Sequence, residues 1–279
     1  VYQSSTGTVT FGSSTISRNS SQSGGGIFST EGYSLLNSTV SMNNASGNGG
    51  GLSNNGGAVS LESTTIFANS AGGTGGGIQN DSVFGPAQLR NTIIARNTGA
   101  SNVDVGGMQF ASQGNNLIGD RGSVTTFVGG IGGDIVGTTG SEVDPLLGAL
   151  QNNGGATETH SLLFGSPARD AGSNVGVTLT DQRGFARVFD GDGNGIATVD
   201  IGAFESGFVV KTFSDTVDVF PGDRSSADVF GNSSLRAAVM EANSLPGDDT
   251  ILLIPGTYRL TIAGRDEDAA VTGDLDVTD

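Results

Sequence analysis

One unit recurs four times in the first hundred residues, and its period constrains the fold more than any other feature. The copies are Thr15-Ile16-Ser17-Arg18-Asn19, Thr39-Val40-Ser41-Met42-Asn43, Thr65-Ile66-Phe67-Ala68-Asn69 and Ile93-Ile94-Ala95-Arg96-Asn97. The closing asparagines are 24, 26 and 28 residues apart, from 19 to 43, 43 to 69 and 69 to 97. Phe11, Leu35, Leu61 and Leu89 each stand five residues before the central apolar residue of a copy. Downstream, a glycine cluster leads into a further apolar residue: Gly24-Gly25-Gly26-Ile27, Gly49-Gly50-Gly51-Leu52, Gly75-Gly76-Gly77-Ile78 and Gly106-Gly107-Met108. Each unit therefore carries three apolar anchors. Short alternating segments at this period predict coils of a few short strands joined by bends. One coil cannot bury its inward face alone, so successive coils must stack in parallel at about 4.8 Å. The expected fold is all-β, a right-handed parallel β-helix (solenoid). A leucine-rich repeat needs more leucines and usually a helix per unit, and a propeller blade needs about 40 residues with aromatic signatures.

Asn19, Asn43, Asn69 and Asn97 are expected to lie above one another at a bend, in a left-handed or turn conformation, with their amides bonded along the stack as a ladder. The competing reading is a row of sugar-binding amides. The glycine triplets are expected to be structural as well, because a phosphate cradle needs a helix after the glycines and none follows.

Composition agrees with a turn-rich β fold: 48 glycines, no cysteine, 14% charged and 35% hydrophobic residues. Lys211 is the only lysine, and 28 acidic residues against 12 basic ones give a net charge of −16. Such a chain repels nucleic-acid phosphates and anionic lipid, and divalent cations are its natural partners. The acidic, Ser/Thr/Asn/Gly-rich, cysteine-free make-up favours a secreted, extracellular or cell-surface location. Nothing approaches 18 consecutive apolar residues, so membrane insertion is not expected. The opening Val1-Tyr2-Gln3-Ser4 has no signal-peptide character, which suggests a start after a processing boundary.

The sharpest local motif is Asp190-Gly191-Asp192-Gly193-Asn194-Gly195-Ile196, running on to Asp200. Carboxylates at the first and third positions, an amide at the fifth, glycine at the sixth and a carbonyl at the seventh match the start of a calcium loop. The expected ligands of a structural calcium ion are Asp190, Asp192, Asn194, Ile196 and Asp200. The glutamate usual at position twelve is missing, since Ile201 stands there; a solvated Asp/Gly turn is the alternative. Two further acidic stretches, Asp215/Asp218/Asp223/Asp228 and Asp266-Glu267-Asp268 with Asp274 and Asp276, read as solvated charge runs. His160, the only histidine, reads as packed or hydrogen-bonded rather than catalytic.

Further along come Gly114-Asn115-Asn116-Leu117-Ile118-Gly119, Val143-Asp144-Pro145-Leu146-Leu147-Gly148, Asn153-Gly154-Gly155-Ala156-Thr157 and Gly165-Ser166-Pro167-Ala168-Arg169-Asp170-Ala171-Gly172. Thr180-Asp181-Gln182-Arg183-Gly184 and Asp200-Ile201-Gly202-Ala203-Phe204-Glu205 follow. This succession, within residues 1–205, resembles the terminal part of large bacterial surface proteins with a pectate-lyase-like β-helix of the choice-of-anchor type. The resemblance implies attachment or structure and supplies no catalytic residues. Ser233-Ser234-Leu235-Arg236-Ala237-Ala238-Val239, with Ala242-Asn243, Pro246-Gly247-Asp248-Asp249-Thr250-Ile251 and Pro255-Gly256-Thr257-Tyr258, resembles the CSLREA domain that opens such β-helices. Ser233 replaces the family's cysteine and Ala237 its glutamate, so any family disulfide is lost. Leu235, Ala238, Val239 and Ala242 share one helical face, predicting a short capping α-helix over 234–243 with Ser233 or Ser234 as N-cap. Thr250 to Ile254 and Arg259 to Ile262 read as strands.

The expected domains are 1–205, the coils and terminal part of a β-helix, and 206–279, the cap and first coil of a following one. That inverted order suggests copies of the chain joined head to tail in a filament. The expected function is a structural or adhesive surface protein, a repeat unit or subunit of an extracellular filament, and not an enzyme. Between residues 11 and 100 the only acidic residues are Glu31, Glu62 and Asp81, too few for the paired carboxylates or calcium-holding clusters of hydrolases and lyases. The alternative is a polysaccharide-binding or lyase-type β-helix, with neutral glycans bound along the Ser/Thr/Asn face.

Overall fold

The structure is a computed structural model. It describes residues 2–3, 9–101, 103–163, 165–188, 196–222, 226–244, 251–265 and 268–278, with backbone alone at 2–3, 209 and 252. Two compact units emerge: Val1–Arg187 with Val199–Glu205, and Val188–Thr198 with Ser206–Asp279.

The first unit is a parallel β-helix. Three sheets run the length of the stack, and every strand in them pairs in parallel with the equivalent strand one coil away. The first sheet contains Tyr2–Gln3, Ile27–Ser29, Leu52–Asn54, Ile78–Asn80 and Val105–Gly107. The second contains Val9–Gly12, Tyr33–Leu36, Val59–Glu62, Ala87–Arg90 and Phe110–Ser112. The third contains Thr15–Ser17, Thr39–Ser41, Thr65–Phe67, Ile93–Ala95, Leu117–Ile118 and Ile135–Val136. A smaller corner sheet joins Ser20–Ser21, Asn44–Ala45 and Ser70–Ala71.

Registers follow the repeat, so like residues form columns through the core. Ile16, Val40, Ile66, Ile94, Ile118 and Val136 make one column, and Phe11, Leu35, Leu61 and Leu89 another. Burying one such aliphatic side chain is worth about 1.5–3 kcal/mol, so the columns drive the stacking. In the glycine-led column Ile27, Leu52 and Ile78 are followed by Val105, not by Met108 as the sequence pattern suggested. Met108 is more than half exposed; the fourth glycine pair comes after its anchor instead of before it. A fourth column, Val9, Tyr33, Val59, Ala87 and Phe110, carries no repeat signature because its residues vary in size.

The asparagine ladder is continuous. Asn19 Nδ2 donates to Asn43 Oδ1, Asn43 to Asn69 and Asn69 to Asn97, each at 2.9 Å. The chain of amides ends on Asp104, whose Oδ1 accepts Asn97 Nδ2 at 2.8 Å and the Asn97 amide at 2.9 Å. The left-handed residue at each bend is the one before the asparagine: Arg18, Met42, Ala68 and Arg96 have φ of 59°, 58°, 55° and 57°. Of the left-handed or turn conformation expected at the asparagines, the left-handed one belongs to the residue before each of them. The asparagine is retained for its side chain, which bonds both ways.

In the second unit, strand Phe208–Val210 pairs in parallel with Ile251–Leu253. The helix spans Leu235–Ala242, capped by Ser234, whose Oγ accepts the Ala237 amide at 3.0 Å. Its apolar side packs against Phe208, Val210 and Ile251 and against Val217, Ala270 and Leu275. Residues 259–262 form no strand, contrary to expectation; the Thr261 and Ile262 amides instead bond to Asp215 Oδ2.

Candidate functional site

After the last coil, the described residues of 143–187 and 199–205 turn back and cover the outer face of the third sheet. Its outward residues are small or apolar, so a returning segment can seat against them. Ile93, Ala95 and Leu117 form a second core with Leu162, Ala168, Ile201 and Phe204. Thr39 Oγ1 donates to Gln182 Oε1 at 2.7 Å, and Gln182 Nε2 to Thr15 Oγ1 at 2.8 Å. The Ala203 amide reaches Thr65 Oγ1 at 3.0 Å. At Gly202, with φ +108°, an added Cβ would come within 2.8 Å of both Ile93 Cδ1 and Thr65 Oγ1, so only glycine fits. Left-handed asparagines at the rim of the same sheet fasten the segment: Asn37 Nδ2 to the Thr180 carbonyl at 2.7 Å, Asn91 to Ser173 at 2.9 Å and Asn115 to Ala171 at 2.9 Å. A glycan-binding row of hydroxyls on this sheet is therefore covered, which corrects that part of the sequence reading.

His160 belongs to this seal. It is 2% exposed and lies against the Phe67 ring at 4.7 Å between centroids. Nδ1 is 2.7 Å from the Gly148 carbonyl and Nε2 is 2.9 Å from Ser41 Oγ. A carbonyl only accepts, so Nδ1 carries the hydrogen and Nε2 accepts from the serine. Burial lowers the pKa and keeps the ring neutral. Arg18 and Arg96, equivalent along the stack, are occupied separately by Glu158 and Asp144.

The motif residues of the returning segment converge on a buried charge cluster. Arg183 and Asp181 are paired at 2.7 Å with both side chains fully shielded. The Arg183 guanidinium stacks on Phe204 at 3.7 Å and faces Phe185 at 4.9 Å. Asp181 Oδ2 also accepts the Glu205 amide at 3.1 Å. Glu205 Oε2 accepts the Asp200 amide at 3.0 Å, and Asp200 Oδ1 accepts the Asp170 amide at 2.7 Å. Arg187, fully buried, donates Nη2 to the Gly202 carbonyl; its Nε and Nη1 have no acceptor within bonding distance among the described residues. Burial first, and then the neighbouring Asp200, raise the Glu205 carboxyl well above its usual range. Burial also lowers Arg183. A closed cluster of this kind fixes the segment in register, and its groups have no access to a large substrate. Sequence reasoning noted the motifs but did not join them; the available signal was charged residues set beside Ile201, Ala203 and Phe204.

Of the expected calcium ligands, Asp190, Asp192 and Asn194 lie outside the described residues. Ile196 has an exposed side chain, and its carbonyl accepts Thr198 Oγ1 at 3.3 Å. Asp200 is 1% exposed and engaged in the charge cluster. Among the described residues no group of three His, Cys, Asp or Glu side chains is placed to hold a metal.

The second acidic stretch is not a solvated run. Asp215 is paired with Arg236 at 2.6 Å with both side chains shielded. Burial acts to raise its pKa, but the guanidinium and the Ile262 and Thr261 amides outweigh it, and the net shift is downward. Arg236 also donates to the carbonyls of Ala270 and Gly273, each at 2.7 Å. Asp218 and Asp228 are buried and accept the amides of Phe220 and Phe230. Asp223 lies outside the described residues, as do Asp266 and Glu267, while Asp268 and Asp274 are exposed. Among the described residues no helix is long and apolar enough to cross a membrane. No protein family, curated protein or solved structure matches the chain.

Proposed function

We propose that the protein is a secreted structural or adhesive surface protein, related to the bacterial choice-of-anchor and CSLREA proteins it resembles, and a unit of an extracellular filament assembled head to tail. The observation that carries this reading is the use of side chains in the first unit. The outer face of the third sheet is sealed by the described residues of 143–187 and 199–205, and their histidine and buried charges are consumed in holding that seal. Such a construction favours stiffness over access. Negative-stain imaging of purified protein tests the reading: extended filaments support it, and monodisperse particles at high concentration overturn it.

Calcium is proposed as a structural ion held by Asp190, Asp192, Asn194 and the Ile196 carbonyl, with Asp200 nearby in sequence; it would stiffen the loop. Isothermal titration with calcium should show one saturable site that Asp192→Asn removes.

A specific observation keeps the alternative open. On the second sheet, Ser60, Glu62, Gln88, Arg90 and Gln113 line a polar recess of about 240 Å³, with Arg90 paired to Glu62 at 2.5 Å. Hydroxyl, amide and ion-pair groups set side by side suit a neutral glycan. A glycan array read with wild type and Gln88→Ala distinguishes this from a purely structural role.

A further inference from the structure

The second unit presents exposed apolar side chains on a duplicated turn. Asp218-Val219-Phe220-Pro221-Gly222 and Asp228-Val229-Phe230-Gly231 share an Asp-Val-Phe start. In each, the aspartate Oδ1 accepts the phenylalanine amide, at 3.0 and 2.9 Å. A left-handed glycine follows, Gly222 with φ of 96° and Gly231 with φ of 79°. The bond from the Val219 amide to the Ala227 carbonyl, at 3.0 Å, lays the two turns side by side. Glu241 Oε2 anchors the first turn through the Gly222 amide at 2.6 Å, and Asp228 Oδ1 closes the second by accepting the Asn232 amide at 2.9 Å. The aspartates are thus buried and the rings face outward: Phe220 is 70% and Phe230 85% exposed, and Val229 is exposed as well. Two rings held in water by ordered turns forgo hydrophobic stabilisation that a partner surface would supply.

The first unit carries a recess of matching character. It has a volume of about 600 Å³, and Ala111, Ser112, Thr126, Val128 and Ile131 are among the residues that line it. Ile131 is 67% exposed. Phe127, between two lining residues, is buried against Phe110 with ring centroids 5.7 Å apart, which fixes this wall. The one ionisable lining residue, Asp134, is buried, and its Oδ1 accepts the Asn116 amide and Nδ2 at 2.9 and 3.0 Å. Copies of a chain with a net charge of −16 repel one another at long range. A joint between them therefore needs surfaces that bring no exposed carboxylate into the contact, and the Val-Phe tips and this recess both meet that need. We propose that the two turns of one copy seat Phe220 and Phe230 in the recess beside Val128 and Ile131 of the next copy. The contact joins two different patches, the arrangement from which open filaments are built. The proposal rests on the end-joined assembly proposed above and names the surfaces that join.

The test uses the full chain, which has no cysteine, so that introduced thiols report a single contact. A Phe230→Cys chain mixed with an Ile131→Cys chain and oxidised in air is expected to form mixed disulfide dimers about tenfold faster than either chain alone. Sedimentation equilibrium is expected to show self-association about tenfold weaker in Phe220→Ser/Phe230→Ser and in Ile131→Asp. Phe84→Ser, which removes a comparably exposed ring of the first unit, is expected to leave association unchanged. Raising salt from about 0.05 to about 0.5 M is expected to strengthen it, because screening removes the repulsion and spares the apolar contact. The substituted side chains are exposed, so the variants keep their fold, as circular dichroism will verify. Equal rates for mixed and unmixed thiols, or a Phe84 variant that weakens association as much as the turn variant, would overturn the proposal. So would a chain bearing both cysteines that closes on itself at high dilution. Filaments that persist in the turn variant keep the assembly reading and exclude this contact. Closed oligomers that the turn variant dissolves keep the contact and exclude the filament.

Discussion

The ladder asparagines Asn43, Asn69 and Asn97 both give and take, so the damage done by replacing one depends on its place in the row. Asn69 is buried and joins Asn43 above to Asn97 below, whereas Asn19 is exposed and only gives. Asn69→Leu should therefore cost about 2–4 kcal/mol, because it leaves buried donors and an acceptor unmet, and Asn19→Leu under about 1 kcal/mol; urea denaturation measures both. Asp104 makes the row sensitive to pH. Burial, against the pull of its amide donors, pushes its carboxyl up to about 6. Because the folded value lies above the unfolded one, this group's contribution is complete below pH about 4 and is lost as pH rises through about 6, a swing of up to about 3 kcal/mol. His160 behaves oppositely. Its pKa is lowered on folding, so its contribution is complete above about pH 6.5 and is lost as pH falls below that. Denaturation at stepped pH should show a flatter alkaline limb for Asp104→Asn and a flatter acid limb for His160→Gln.

Among the elements, legibility followed repetition. The third-sheet strands and their ladder were readable because the same residue types recur in one register. Val105 was misread because a glycine pair beside Met108 imitated the pattern, and the variable column through Tyr33 and Phe110 gave no signal. The helix was readable from Leu235, Ala238, Val239 and Ala242, and from a serine able to cap it. The role of Arg236 was not, since its partner Asp215 and the carbonyls of Ala270 and Gly273 are brought to it only by tertiary folding. Ahead of the helix lies a pair of buried hydroxyls, Ser226 Oγ and Ser233 Oγ, 2.6 Å apart. Side chains this close predict that Ser226→Cys with Ser233→Cys will oxidise to a disulfide and raise the thermal midpoint. Thiol titration and a reducing-agent control on the melting curve check it.

At the scale of the whole chain, fold class was legible and the site was less so. A period in the mid-twenties leaves few architectures, but where the returning segment of the first unit lies depends on contacts more than a hundred residues apart in sequence, such as Gln182 with Thr15 and His160 with Ser41. Those contacts also change how the first unit would respond to load. A bare stack of coils pulled from its ends can peel one coil at a time, each step breaking few bonds. Here the returning segment reaches coils along the whole third sheet, from Thr15 and Asn37 through Thr65 and Asn91 to Asn115. Pulling the first unit in a single-molecule experiment should therefore give one high-force rupture. Replacing Asn37, Asn91 and Asn115 by alanine should break that into a staircase of small events. The segment that closes off a binding face thus acts as a backstay, turning a sequence of weak failures into one shared load.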